Sequence, residues 1–209
     1  CPGWLDELVD TLKGDSTIGL VGSRLLNADG SLQEAGGIFW KDGSAWNFGR
    51  GADPRLPEFN YVKDVDYISG ASIALPRQVL DSLEGFDPIY APAYCEDSDL
   101  AFRIRKVGLR TVYQPFSTLI HHEGVSHGRD LSKGIKAHQV ENNRRFFDRW
   151  RETLASEHFD NGVDVPLARD RSRNRAHMLV IDHYLPQPDR DAGSPPMSHF
   201  LNLFPSAGI

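Results

Sequence analysis

Between residues 4 and 154 the apolar residues switch repeatedly from a helical period to an extended one and back, and this alternation restricts the chain to an α/β architecture. In "CPGWLDELVDTLKGD", Leu5, Leu8, Val9 and Leu12 fall at i, i+3, i+4 and i+7, with Pro2 ahead and Gly14 behind, so a short amphipathic helix is expected. "TIGLVGSRLL" follows as a strand, "NADG" as a turn and "SLQEAGGIFW" as a second extended piece. Residues 41–60 read as loop, because Gly43, Gly49, Gly51, Pro54 and Pro57 break any period. Strand character resumes in "VKDVDYISGASIAL", and Pro76 suits the first position of a helix through "RQVLDSL".

"APAYCEDSDLAFRIRKVG" is the next helix, with Leu100, Ile104 and Val107 on one face and Gly108 as its stop. "TVYQP" and "STLIHHEG" then read as two extended segments separated by Pro115, and residues 138–155 as the longest helix, its core face Val140, Phe147, Trp150 and Leu154. Residues 156–176 are polar and read as a linker. Beyond them, "HMLVIDHYLP", a loop, and Met197, Phe200, Leu201 and Phe204 make a lone strand-loop-helix unit. One such unit cannot bury both faces of its strand, so residues 177–209 are expected to open a second α/β domain, after a first domain over residues 1–155. The helix at the very first residues points to a chain truncated at its N-terminus.

Composition narrows the function. The 209 residues carry a net charge of -6, which argues against nucleic acid as a partner. Cys1 and Cys95 are too few for a disulfide framework, and no run approaches the roughly 18 apolar residues of a membrane span, so a cytoplasmic protein is expected.

Four sets of residues are candidates for chemistry or binding. Glu96, Asp97 and Asp99 crowd a helix start, where free amides and the macrodipole favour anions by about 0.3 to 1 kcal/mol each. Asp99 can pair with Arg103 one turn on, while a carboxylate in a cleft could instead accept a proton from an attacking hydroxyl. "LIHHEGVSHG" offers His121, His122, Glu123 and His127, but neighbours on an extended segment face opposite ways, so His121 and His122 do not share a metal. Ser69, Gly70, Ala71 and Ser72 form a small-residue gap in an apolar strand, the mark of tight packing or of backbone close to a ligand. Trp40 and Trp46 flank a loop and could stack on a sugar or pin the loop down.

Taken in order, "SGASIALPRQVLDSLEGFDP", "EDSDLAFRIRKVG", "VYQPFSTLIHHEGVSHG" and "ENNRRFFDRW" resemble the C-terminal half of the inverting GT-A glycosyltransferases of family 2, the bacterial rhamnosyl- and galactosyltransferase-like members, over about residues 1–152. The resemblance implies the C-terminal part of a GT-A fold, a mixed sheet flanked by helices. It implies that Asp97 is the catalytic base, that Glu96 lies beside it in the acceptor pocket, and that Asp99 is structural. Gly70 and Ala71 match the segment where the donor sugar lies against backbone, and His121 matches the histidine that completes a Mg2+ or Mn2+ site. The implied partners are a nucleotide-sugar donor and a glycan or lipid-linked glycan acceptor. The family's nucleotide-binding half, with its Asp-x-Asp metal motif, normally precedes "PGWLDEL", so this chain alone is expected to be inactive and to self-associate through a truncated sheet edge. Residues 177–209 are similar to the first strand, loop and helix of a GT-B domain. Such two-domain proteins build surface polysaccharide, with peripheral attachment to the inner face of the membrane. A non-catalytic glycan-binding module and a metal-dependent hydrolase are the alternatives.

Overall fold

The computed structural model describes residues 2–122 and 137–175, together with 187, 197–199, 201 and 203. Contacts divide the chain into Cys1–Ser172 and Arg173–Ile209. In the second unit Met197–His199, Leu201 and Leu203 are helical, and the expected strand at 177–186 lies outside the described residues.

The first unit is a mixed sheet with helices packed on it, as the α/β reading requires. Helix α1 (Trp4–Gly14) leads into the central strand β1 (Ile18–Leu26). Along one side of β1 runs β7 (Arg110–Ile120), in parallel. The other side pairs antiparallel with β6 (Ile73–Ala74) at Val21 and Gly22, and then with β2 (Leu32–Glu34) at Leu25 and Leu26. Strand β5 (Lys63–Asp64) adds antiparallel to β7, while β3 (Gly37–Phe39) and β4 (Ala45–Asn47) form a separate hairpin. A parallel β1–β7 pair demands a long crossover, and α2 (Arg77–Ser82) and α3 (Glu96–Lys106) lie within it. Helix α4 (Ala137–Glu157) and the short α5 (Val165–Ala168) follow. No helix among the described residues is long and apolar enough to cross a membrane.

Several elements depart from the sequence reading, each for a packing reason. "VKDVDYISGASIAL" is two short strands, not one, because Ser69–Ser72 turns between them. Conversely, residues 110–120 are one strand. Its register against β1 jumps from Ser23↔Gln114 to Arg24↔Thr118, so Pro115, which has no amide to donate, sits in a bulge. The loop at 41–60 contains β4 and a 3-10 turn at Pro57–Phe59. Leu5, Val107 and Val140 are exposed although the helical pattern assigned them to the core. On α4 the buried stripe is Asn142, Phe146, Trp150 and Leu154, one turn-to-turn row that includes a polar residue.

The main core joins α3 and α4 to the β3 hairpin through aromatic rings. Phe39 stacks on Phe146 at 4.6 Å and meets Phe102 edge-on at 5.3 Å, and Phe102 tilts against Trp150 at 5.2 Å. Pairs of this kind add about 0.5 to 1.5 kcal/mol each beyond burial. Close approach also explains two glycines: a Cβ on Gly22 would lie 1.9 Å from Ile68, and one on Gly37 1.9 Å from the Tyr67 ring. The polar residues 156–172 pack back onto this unit through ion pairs, Arg171 to Asp66 at 2.7 Å and Arg169 to Glu58 at 2.5 Å.

Candidate functional site

The site is built where α3 begins. Tyr94 and Cys95, just before it, both occupy the left-handed region, with φ of 77° and 71°, a conformation costing about 1 to 3 kcal/mol for a residue with a side chain. Helix α4 offsets that cost. Asn142 Nδ2 donates to the carbonyls of Tyr90, Ala93 and Tyr94 at 2.8, 2.8 and 3.2 Å, and Arg145 Nη1 donates to that of Ile89 at 2.7 Å. The buried asparagine thus fixes the direction in which α3 presents its first residues.

The three carboxylates of α3 have separate surroundings. Asp99 is fully buried and meets Arg103 Nε at 2.6 Å, Trp150 Nε1 at 2.9 Å and Arg149 at 3.3 Å. It is a structural anchor, as the i, i+4 spacing with Arg103 suggests. Glu96 lines a pocket of about 290 Å³ with Phe86, Pro88, Tyr90 and Pro92. Its Oε2 is buried without a hydrogen-bond partner among the described residues, and burial raises its pKa. Asp97 points the other way, toward the Ser69–Ser72 turn. Its Oδ2 accepts the Gly70 amide at 2.8 Å and its Oδ1 the Ser98 amide at 2.6 Å. Burial raises the Asp97 pKa, and these two amides oppose the rise. The result is a half-buried carboxylate oriented by fixed donors, an arrangement that can serve a general base.

Gly70 therefore meets Asp97 directly. A Cβ there would lie 3.4 Å from that of Asp97, an ordinary contact, so space alone does not demand glycine. Ala71 is exposed on the same turn. The turn is tied to the sheet, since Ser72 O accepts from Ser23 N at 3.2 Å and the two hydroxyls meet at 2.6 Å.

His121 follows β7, its amide bonded to Leu26 O at 2.9 Å. Its Nδ1 lies 2.7 Å from Gln33 Oε1, while Gln33 Nε2 donates to His121 O and Asn27 Oδ1. The amide is oriented by those two acceptors, so its oxygen faces the imidazole and Nδ1 carries the proton. In the neutral ring Nε2 then holds the lone pair, the tautomer that suits a metal ligand. His122 is exposed beside it, while Glu123 and His127 lie outside the described residues. Among the described residues no three His, Cys, Asp or Glu converge to hold a metal.

Glu34, which sequence reasoning passed over, also belongs here. It is 1% exposed, and its Oε1 accepts the Ser69 amide at 2.9 Å. The only sequence sign of it is a carboxylate inside the extended "SLQEAGG". Trp40 is fully buried and edge-on to Trp46 at 4.9 Å, so it pins the loop and presents no face to a sugar.

No family model matches the chain. It is 32% identical over 134 residues to the O-antigen biosynthesis protein RfbC of Myxococcus xanthus, covering 62% of this chain and 10% of that protein. It is 28% identical over 155 residues to N-acetylglucosaminyl-diphospho-decaprenol L-rhamnosyltransferase of Mycobacterium tuberculosis, covering 66% of this chain and 48% of that enzyme. The chain thus spans about half of one relative and a tenth of the other. A structure of GalNAc-T7 with UDP, GalNAc and Mn2+ aligns with a TM-score of 0.49 and 17% identity, over 70% of this chain and 29% of that one. The relatives bear out the resemblance to rhamnosyltransferase-type proteins of polysaccharide synthesis, drawn above from the order of the motifs.

Proposed function

We propose that this chain is the acceptor-side part of an inverting, nucleotide-sugar-dependent glycosyltransferase of surface polysaccharide synthesis, with Asp97 as its base. The observation that carries the proposal is the Asp97 carboxylate, half-buried and aimed by the Gly70 and Ser98 amides at 2.8 and 2.6 Å. In the reaction an acceptor hydroxyl attacks the anomeric carbon of the donor sugar. Asp97 takes the hydroxyl proton as the new C–O bond forms, and the bond to the nucleoside diphosphate breaks with its electron pair leaving on the diphosphate. Attack from the face opposite the leaving group inverts the anomeric centre. Glu96 lines the acceptor pocket, and the exposed backbone of Gly70 and Ala71 offers the donor sugar a close approach. A divalent ion, Mg2+ or Mn2+, would neutralise the departing diphosphate, with His121 Nε2 as this chain's ligand to it.

In the full-length protein, Asp97→Asn is expected to lower kcat by about 10²-fold or more, with donor affinity nearly unchanged, because shape is kept and proton acceptance is lost. Near-normal turnover would remove Asp97 from the mechanism.

A further inference from the structure

We infer that Glu34 is a positioning residue for the base: it holds the Ser69–Gly70 turn whose next amide binds Asp97, and its ionisation sets the charge behind that carboxylate. The inference rests on reading Asp97 as the base. Two consecutive amides of one turn are divided between two carboxylates, Ser69 N–H to Glu34 Oε1 at 2.9 Å and Gly70 N–H to Asp97 Oδ2 at 2.8 Å. The direction of the second bond therefore depends on the first. The far end of the turn is already fixed through Ser72 and Ser23, so Glu34 is what anchors its near end.

Holding one amide does not require a charge. Glu34 sits at the edge of an apolar cluster that includes Leu32, Ala35, Val65 and Tyr113, it is 1% exposed, and its Oε2 has no hydrogen-bond partner among the described residues. A glutamine would accept the same bond without the cost of burying an ionisable group. A carboxyl there has a use that an amide lacks, which is to titrate.

The groups facing it set where it does so. Burial raises its pKa to about 7, the Asp97 charge on α3 pushes the same way, and the Ser69 amide and the Arg50 cation after β4 oppose. Tyr67, beyond β5, and Tyr113, on β7, lie within its field: burial raises both phenols, and the Glu34 charge adds to the rise. Below neutral pH Glu34 is a neutral acid that accepts the Ser69 amide. Above it, a second negative charge stands behind Asp97 and raises that carboxylate's affinity for a proton, so Asp97 becomes the stronger base.

The test uses two variants and three readouts. In the 209-residue chain labelled with ¹³C at glutamate carboxyls, one signal should titrate near neutral pH. It should vanish in Glu34→Gln and move to lower pH in Asp97→Asn. Amide exchange should show Ser69 and Gly70 losing protection by about tenfold or more in Glu34→Ala and keeping it in Glu34→Gln. In the full-length protein, turnover of whichever UDP-, GDP- or dTDP-sugar it consumes should rise with pH through neutrality in the parent and stay flat in Glu34→Gln, with donor KM unchanged. A Glu34 signal titrating in the ordinary carboxyl range, or unmoved by Asp97→Asn, overturns the inference, as does unchanged Gly70 exchange in Glu34→Ala. Absence of all turnover would defeat the proposed function, while the titration and exchange would still decide the role of Glu34.

Discussion

Lys63 gives the sharpest test of how this fold handles buried charge. It lies on β5, 3% exposed, and its Nζ is buried with no hydrogen-bond partner among the described residues. Three ring faces surround it, Phe48 at 4.4 Å, Tyr113 at 5.1 Å and Tyr61 at 5.4 Å. Burial lowers its pKa from 10.5 to about 7, Arg169 adds to the fall, and Asp170 and Glu58 oppose it. Because the folded value lies below the unfolded one, the unfolded chain binds the extra proton between about pH 7 and 10.5. Stability from this site is therefore full above the upper value and lost as pH falls to the lower one. The interval corresponds to a ceiling of about 5 kcal/mol, of which attraction to the rings returns about 2 kcal/mol. Lys63→Met keeps the stem and removes the charge. It should raise stability by about 2 to 3 kcal/mol at pH 6, about a 1 M rise in urea midpoint, and by much less at pH 10. Urea unfolding at the two pH values reads this out. A destabilised variant at pH 6, or an equal gain at both, would show that the ammonium is not penalised by its site.

Asp99→Asn should cost about 3 kcal/mol in a thermal or urea melt, because Arg103 and Arg149 lose their buried counter-charge, and should leave kcat of the folded full-length protein within about threefold. A loss of turnover matching that of Asp97→Asn without a stability change would make Asp99 the base instead. Asn142→Ala removes the donor to three carbonyls and should cost about 2 to 3 kcal/mol, with faster amide exchange at 90–95. An unchanged melt would mean that the strained pair Tyr94–Cys95 is held by other contacts. In the full-length protein His121→Ala should raise the Mn2+ concentration needed for half-maximal activity, while His122→Ala should not, and equal effects in a Mn2+ titration would contradict His121, rather than His122, as the ligand.

The elements are legible where the apolar pattern is long and unbroken. The α1, α3 and α4 segments follow from helical period and stop signals, and β1 from an extended run buried on both faces. Strand breaks were less legible. Ser69–Ser72 turns inside an apolar run, and Pro115 bulges inside a single strand, because pairing partners about 50 and about 90 residues away decide them. On α4 the pattern finds Trp150 and Leu154 but not the N-terminal half of the core face, because Asn142 occupies a slot where pattern rules seek an apolar residue. Its amide group is satisfied chiefly by carbonyls of a loop about 50 residues earlier. Glu34 was missed for the same reason, since its partner amide at Ser69 is 35 residues away.

The three carboxylates of α3 carry this point through to chemistry. The helix end attracts all of them by similar amounts, so the macrodipole cannot choose among them. One choice is local: Arg103, one turn along, takes Asp99 out of reach of substrate, and that pairing can be read from spacing alone. The choice between Glu96 and Asp97 is not local, because neighbours on a helix diverge by about 100° and meet different elements. Glu96 turns to the apolar pocket and keeps a carboxyl oxygen unpartnered, whereas Asp97 turns to Gly70 and Ser98 and has both oxygens fixed. A base must hold one orientation while its substrate arrives, so the carboxylate with fixed donors is the one suited to the task. Of the two donors, the Ser98 amide comes with α3 itself, and the Gly70 amide is fixed by the Ser69–Ser72 turn, which is tied to Glu34 and Ser23 of the sheet.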